Sequence, residues 1–267
     1  MCIRDSGQTV EFADYREYQL GDDIRRIDWN LYSRFEKYFL KLFTDERQMQ
    51  IQIFLDCSAS MGKENPKKAA YAIATAAALG FLSVHNMDKV SYKLMRENRS
   101  EDPFGTIVGK NAFFRAISEL ENTEFSEETD LEAAIKGCPN LGNGNGLAVI
   151  ISDFFTDSDW KKAVDYLCYL HKQILLIQVL TPEEEEPSYS GRVNLIDLES
   201  ADLSDERNMK LRITGSMHSA YNEAMADLKA EIKEFCVSRG AEFVSVRSDR
   251  PIEKMLFGEL LKVGIMG

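Results

Sequence analysis

Residues 51–60 read IQIFLDCSAS, an unbroken apolar run that ends in a carboxylate and then turns polar. A second run of the same kind, LAVIISD, occupies residues 147–153 and also ends in an aspartate. Continuous apolar runs of this length are typical of strands that are buried on both faces, as in a parallel sheet covered by helices. The two stretches therefore predict a parallel sheet with carboxylates at the carboxyl ends of its strands.

The alternation of strands and helices continues on both sides of these runs. Further strands are predicted at residues 89–95, 174–180 and 243–246. Helices are predicted at residues 65–84, 111–121, 130–136, 159–171 and 216–239. This order predicts a doubly wound α/β domain, with a mainly parallel sheet and helices on both of its faces.

Two segments depart from this alternation. Residues 7–48 are rich in aromatic side chains, and we expect them to form an N-terminal segment that packs on the core and buries its rings. Residues 49–267 then form the α/β domain. Within it, PEEEEP at 182–187 is expected to be a solvated acidic loop, and the strand-like pieces after it predict a β-hairpin insertion at about 182–215.

Composition excludes several classes of function. Among the 267 residues, 32 lysines and arginines stand against 44 aspartates and glutamates, and a net charge of −12 argues against nucleic-acid binding. The five cysteines show no paired spacing and predict reduced thiols in a cytoplasmic protein. No apolar run is long enough for a membrane segment, and no signal peptide is evident. The opening MCIRDS is unlike the start of a domain, and we expect it to reflect a truncated gene or an assembly artefact.

Oxygen-bearing side chains follow the predicted strands. Asp56, Ser58 and Ser60 form a DxSxS sequence after the first buried strand, Thr129 opens a helix, and Asp153 ends another buried strand. Because the carboxyl ends of parallel strands meet at one edge of a sheet, we expect these five side chains to converge. Oxygen-only ligands suit Mg²⁺, Mn²⁺ or Ca²⁺ rather than zinc. Two carboxylates neutralise such an ion, whereas hydroxyls leave it able to accept a further carboxylate from a partner's Asp or Glu.

These residues also fit two other interpretations. Strand-end Ser and Asp side chains often cap the next helix and do nothing more. Asp56 is also placed like the phosphoryl-accepting nucleophile of haloacid-dehalogenase-like phosphatases, but those enzymes need a second aspartate two residues later, where this chain has Ser58. The order of Thr129 and Asp153 after the DxSxS sequence favours a metal site over either interpretation.

The sequence Asp56-x-Ser58-x-Ser60, followed by Thr129 and then Asp153, resembles the metal-ion-dependent adhesion site (MIDAS) of von Willebrand factor type A domains. In addition, EFADYREYQLGDDIRRIDWNLYSRFEKYFLKLF at 11–43 resembles the signature of the bacterial domain-of-unknown-function family 58, whose members carry such a domain. The likeness extends over nearly the whole chain and includes LIDLES at 195–200, while the first six residues fall outside it.

This resemblance implies a protein-binding module that is not an enzyme. In such domains the serine and threonine hydroxyls contact the ion directly, the aspartates bind it directly or through water, and a partner carboxylate completes the octahedron. Members of the family are commonly encoded beside MoxR-type AAA+ ATPases, so the resemblance also implies action with such an ATPase in protein assembly or remodelling. Two alternatives stay open: a metal-dependent hydrolase or phosphatase that uses Asp56 and Asp153, and a structural domain with a vestigial site.

Overall fold

The computed structural model describes residues 10–45, 48–63, 65–126, 128–142, 144–156, 158–187, 191–195, 209–213 and 215–260. Within these residues the strands β1 to β10 are Val10–Glu17, Phe39–Asp45, Gln50–Asp56, Lys89–Arg96, Arg99–Glu101, Gly146–Ser152, Gln173–Leu180, Gly191–Leu195, Met209–Ile213 and Glu242–Arg247. The helices α1 to α9 are Trp29–Phe35, Ala59–Gly62, Pro66–His85, Lys110–Leu120, Leu131–Lys136, Trp160–Tyr169, Pro182–Glu185, Gly215–Arg239 and Ile252–Lys254. A 3₁₀ turn at Ile24–Arg26 and a π-helical turn at Met255–Leu260 complete them.

The chain divides into two compact units, Met1–Gln48 and Met49–Gly267. In the first unit, β1 and β2 form an antiparallel hairpin, and α1 begins at a cap in which Asp28 accepts backbone N–H bonds. Trp29 and Phe35 of this unit are 61% and 62% exposed, and the expected packing of the segment on the core stays a prediction. A hairpin and a two-turn helix bury too little surface to enclose so many rings.

In the second unit a six-stranded sheet has the order β10-β7-β6-β3-β4-β5. All neighbouring strands are parallel except β5, which runs antiparallel to β4 at one edge. The predicted doubly wound α/β fold is therefore confirmed. The predicted hairpin insertion is confirmed as well, since β8 and β9 pair antiparallel in a separate two-stranded sheet.

The sheet is covered on both faces, as the apolar strands require. Successive residues of β3 point to opposite faces, so Ile53 and Leu55 join one buried cluster and Phe54 joins the other. The first cluster contains side chains of α3 and α4, and the second contains side chains of α5, α6 and α8. Gly80 lets α3 approach the sheet closely, because a Cβ at that position would lie 1.9 Å from the hydroxyl of Tyr92.

The acidic stretch after β7 departs from its prediction. Instead of a solvated loop, residues Pro182–Glu185 form the short helix α7. Thr181 and Glu184 form a capping box, in which the Glu184 N–H donates to Thr181 Oγ1 (3.1 Å) and the Thr181 N–H donates to Glu184 Oε2 (2.8 Å). Pro182 at the first helical position adds a fixed φ that suits this start. In the part of the chain that is described, no helix combines the length and the apolar character needed to cross a membrane.

Candidate metal site

The central strand β3 ends in Asp56, whose carboxylate is buried and held from two sides. One oxygen, Oδ1, accepts the backbone N–H of Ser58 (2.9 Å), which folds the chain back immediately after the strand. The other oxygen, Oδ2, accepts the hydroxyl of Ser152 (2.6 Å) at the end of the neighbouring strand β6. The side chain of Asp56 is thereby fixed at the edge where β3 and β6 end.

Ser58 and Ser60 lie in the turn that leads into α2. Their hydroxyl oxygens are 3.1 Å apart, and among the described residues each hydroxyl has the other as its hydrogen-bond partner. Ser58 occupies the N-cap position of α2, but its side chain makes no capping hydrogen bond. The interpretation of Ser58 as a helix cap is therefore wrong. One shared hydrogen bond leaves lone pairs on both hydroxyl oxygens available to a cation.

Thr129 reaches the same edge from the loop before α5. Its backbone pairs with Glu97 in an isolated β-bridge, and its buried hydroxyl lies 3.5 Å from the carbonyl oxygen of Met95. The helix α5 is capped by the following residue, Asp130, whose carboxylate accepts the N–H of Ala133 (3.0 Å). Thr129 is thus not needed as a cap, and its hydroxyl is directed toward the strand end.

Asp153 follows β6 and is 1% exposed. Its Oδ1 accepts the N–H of Phe155 (2.9 Å), and its Oδ2 accepts a hydrogen bond from the ammonium of Lys68 (2.8 Å). The loop is shaped by Phe154, which has a φ of 61° and donates its N–H to Ser152 Oγ (3.0 Å). A positive φ is unusual for an aromatic residue, and it turns the chain sharply beside the carboxylate.

The two aspartates influence each other. Burial raises the pKa of Asp56, and the nearby charge of Asp153 raises it further, while hydrogen bonds from Ser152, Ser58 and Thr129 act in the opposite direction. The balance of these effects raises the pKa of Asp56 above its ordinary value. A buried carboxylate beside a second one is costly to ionise, and a divalent cation removes that cost.

The ammonium of Lys68 is the positive charge beside this pair. Burial acts to lower its pKa, but the carboxylates of Asp153 and Glu184 outweigh burial and raise the pKa above its ordinary value. Lys68 Nζ lies 2.7 Å from Glu184 Oε1 in addition to its contact with Asp153. Lys68 is therefore held in its charged form.

The donor set fits a hard divalent ion. It consists of two carboxylates and three hydroxyls and contains no sulfur or imidazole, which matches the preference of Mg²⁺, Mn²⁺ and Ca²⁺ for oxygen. Among the described residues, no three His, Cys, Asp or Glu side chains gather into a group able to hold a metal. The candidate site thus depends on its hydroxyls: Ser58, Ser60 and Thr129 would have to supply the ligands that carboxylates do not.

The model of the family described as "Protein of unknown function DUF58" matches residues 14–230. The chain belongs to the DUF58 family. One relative, the uncharacterized protein Rv1480 of Mycobacterium tuberculosis, is 27% identical over 249 residues, which cover 91% of this chain and 76% of the relative.

Solved structures similar to this DUF58 chain include BatB from Bacteroides thetaiotaomicron, with 16% identity and a TM-score of 0.48 over 81% of this chain and 98% of that one. The SpRpn10 VWA domain is 10% identical, with a TM-score of 0.42 over 83% of this chain and 97% of that one. The predicted membership of family 58 is confirmed by the match to the family model.

Three residues that contact Asp56, Asp153 or their partners were not predicted from the sequence. Ser152 stands directly before Asp153, and its strand-end position was the available signal. Lys68 belongs to a helix interpreted only as apolar, and the local sequence does not distinguish it from Lys67, which is exposed in the same turn. Glu184 was assigned to the solvated loop, and nothing in the local sequence indicates its contact with a lysine 116 residues away.

Proposed function

We propose that this chain is a protein-binding module that holds a divalent ion between Asp56, Ser58, Ser60, Thr129 and Asp153 and uses it to capture a partner's carboxylate. The observation that supports this most directly is the Ser58 hydroxyl. It caps no helix, it is buried, and it lies 3.1 Å from the Ser60 hydroxyl in the turn after Asp56. This hydroxyl makes no capping bond, and beside its hydrogen bond to Ser60 it keeps a lone pair that a cation can accept.

The chemistry of capture follows from the donor set. A bound Mg²⁺ would act as a Lewis acid toward an incoming carboxylate oxygen. Asp56 would supply charge, and the hydroxyls would supply oxygen lone pairs without further charge. The ion would then keep affinity for one more anionic ligand, and an Asp or Glu side chain on the surface of another protein is the ligand of that kind.

We further propose that the partner is a MoxR-type AAA+ ATPase. The resemblance to family 58, whose members are commonly encoded beside MoxR-type AAA+ ATPases, supports such an ATPase as the partner, in protein assembly or remodelling. We place the interaction in the cytoplasm. The free thiols of Cys57, Cys138, Cys168 and Cys236 suit a reducing compartment.

We propose a binding role rather than an enzymatic one because of how the two carboxylates are held. A hydrolase would need one of them to move a proton or attack a substrate. The Phe155 N–H and the Lys68 ammonium hold Asp153, and the Ser58 N–H and the Ser152 hydroxyl hold Asp56. Each oxygen keeps a lone pair for a cation, but neither carboxylate is free to turn toward a substrate. Hydrolysis of p-nitrophenyl phosphate with Mn²⁺, lost in Asp56→Asn, would support the hydrolase instead.

The test is calorimetric titration of the purified chain with Mn²⁺ and with Mg²⁺. We expect saturable binding by the wild type and a loss of about 100-fold or more in Asp56→Asn, which removes a charged ligand but keeps its shape. Ser58→Ala should weaken binding by about tenfold, since it removes one neutral ligand. Wild-type affinity in both variants would show that the site is wrongly assigned.

Two matched variants control for unfolding. Asp88→Asn changes another partly buried aspartate, which accepts the N–H of Met49 at the opposite edge of the sheet. Ser83→Ala changes a buried serine whose hydroxyl donates within α3 to the carbonyl oxygen of Leu79. Both controls should bind Mn²⁺ as the wild type does. A pull-down with a purified MoxR-type ATPase, with and without chelator, then tests the partner.

A further inference from the structure

A buried lysine lies beside the candidate metal site. Lys68 is fully buried, and its ammonium contacts Asp153 Oδ2 (2.8 Å) and Glu184 Oε1 (2.7 Å). The same ammonium lies 5.7 Å from the centre of the Phe155 ring. Lysines are almost never fully buried unless they are paired, so this position is set by its two carboxylates.

Lys68 is fixed from three strand ends. It lies in the first turn of α3, which follows β3, while Asp153 follows β6. Glu184 lies in α7, after β7, and its second carboxylate oxygen is occupied by the N–H of Thr181. The ammonium therefore has little freedom to leave when a second cation arrives, because its removal would leave Asp153 and Glu184 without their positive partner.

A fixed positive charge changes what the site offers to a divalent ion. Asp56 and Asp153 together would neutralise the ion, but the ammonium already compensates one of these charges. Glu184 is 22% exposed in its side chain, so solvent screens its charge more than that of Asp153. An ion bound next to Asp153 would consequently be repelled by Lys68 at short range.

We propose that Lys68 is a resident cation that lowers the affinity of the site for its divalent ion. This inference rests on the proposed function, since it requires the ion to bind at Asp56 and Asp153. It predicts that removing Lys68 changes the affinity for the ion in the opposite direction from removing a purely structural lysine. Removal of a structural residue weakens binding, whereas removal of this charge strengthens binding.

The experiment is a set of charge variants, each titrated with Mn²⁺ by calorimetry. Lys68→Met keeps the length of the side chain and removes its charge, and it should lower the dissociation constant by about tenfold. Glu184→Gln leaves Lys68 less compensated, and it should raise the constant by about threefold, since the carboxylate is more distant and more exposed. The double variant restores the total charge and should bind within about threefold of the wild type.

Controls separate charge from folding. Glutamine is accepted at the third position of a capping box, so Glu184→Gln keeps the start of α7 and stays informative if Lys68→Met folds poorly. Lys93→Met removes another buried lysine, which pairs with Asp102 (2.5 Å). We expect it to destabilise the chain and to leave the affinity for Mn²⁺ unchanged. Thermal unfolding with and without Mn²⁺ reports on folding in each variant.

The outcomes distinguish this inference from the proposed function. Binding by the wild type, with affinity unchanged or weakened in Lys68→Met and unchanged in Glu184→Gln, overturns the inference alone. Binding by Lys68→Met but not by the wild type supports the inference and overturns the proposed function for the natural chain. Absence of binding in the wild type and in every variant overturns both.

Discussion

Asp56 and Asp153 stand at the ends of two adjacent parallel strands, yet their charges are balanced in different ways. Asp153 has an ammonium within 2.8 Å, supplied by Lys68. Asp56 accepts hydrogen bonds from the Ser152 hydroxyl and the Ser58 N–H, both of which are neutral donors. The negative charge of Asp153 is therefore balanced by a positive charge of the chain, whereas that of Asp56 meets only neutral donors.

The difference separates a role in the fold from a role toward a ligand. The Asp153–Lys68 pair connects β6 to α3 and, through Glu184, to the segment after β7. Asp56 makes no such ion pair within the described residues, and its burial beside Asp153 raises its pKa. A buried charge that destabilises the ion-free chain is typical of functional sites, where stability is given up for binding.

The largest expected effect is on stability, and the two aspartates should differ in sign. Asp153→Asn breaks a buried ion pair and should lower the free energy of unfolding by about 3 kcal/mol. Asp56→Asn removes a costly buried charge and should raise that free energy at neutral pH. Urea unfolding in metal-free buffer measures both. A loss of stability in both variants would show that the neutral donors compensate Asp56 fully.

The pH dependence of stability sharpens the same contrast. Because the pKa of Asp56 is raised on folding, the folded state binds this proton more tightly than the unfolded state does. The carboxyl therefore favours folding below its ordinary pKa, and that contribution is lost as the pH rises through the folded pKa. The stability advantage of Asp56→Asn over the wild type should be absent in acid and should grow toward neutral pH.

The measurement is urea unfolding of the wild type and of Asp56→Asn between acid and neutral pH, without divalent ions. The difference between their free energies of unfolding cancels the contributions of other titrating groups. Saturating Mn²⁺ should remove the advantage of the variant, since the ion stabilises the charged carboxylate of the wild type. On the other side of the site, the pKa of Lys68 is raised, so its contribution to stability is lost only in alkali. An advantage that does not change with pH would place the effect elsewhere.

The sequence predicted the two strand ends that carry Asp56 and Asp153, because they depend on local pattern. Buried strands are visible as apolar runs, and the rule that parallel strands end at one edge brings Asp56 and Asp153 together. The sheet order that makes β3 and β6 neighbours agrees with this reasoning.

The ion pairs of Lys68 with Asp153 and Glu184 could not be predicted, because the paired residues are far apart in the sequence and no local pattern links them. Lys68 and Asp153 are 85 residues apart, and Lys68 and Glu184 are 116 apart. The glutamate run after β7 was interpreted from composition alone, whereas the capping box that orders it depends on Thr181 at the end of the strand. Side-chain pairs of this kind are fixed by tertiary packing rather than by periodicity.

The smallest expected effect compares the helix starts that follow the two strands. Asp159 caps α6, after β6, and its side chain accepts the N–H of Lys162 (3.3 Å). Ser58 holds the same position before α2, after β3, without a capping bond. Asp159→Ala should lower the free energy of unfolding by about 1 kcal/mol, while Ser58→Ala should change it by less than about 0.5 kcal/mol.

Urea unfolding without divalent ions measures the loss of stability in each of these two variants. We expect Mn²⁺ to make Ser58→Ala the less stable variant of the two. With saturating ion, Ser58→Ala should lose about 1.4 kcal/mol of the stabilisation that binding gives to the wild type, because it binds about tenfold more weakly. Asp159→Ala should keep that stabilisation in full, because Asp159 is not among the proposed ligands. The side chain that contributes least to the fold would then contribute more to the bound state. Equal losses in both variants without the ion would make Ser58 an ordinary helix cap and would remove the observation that most supports the metal site.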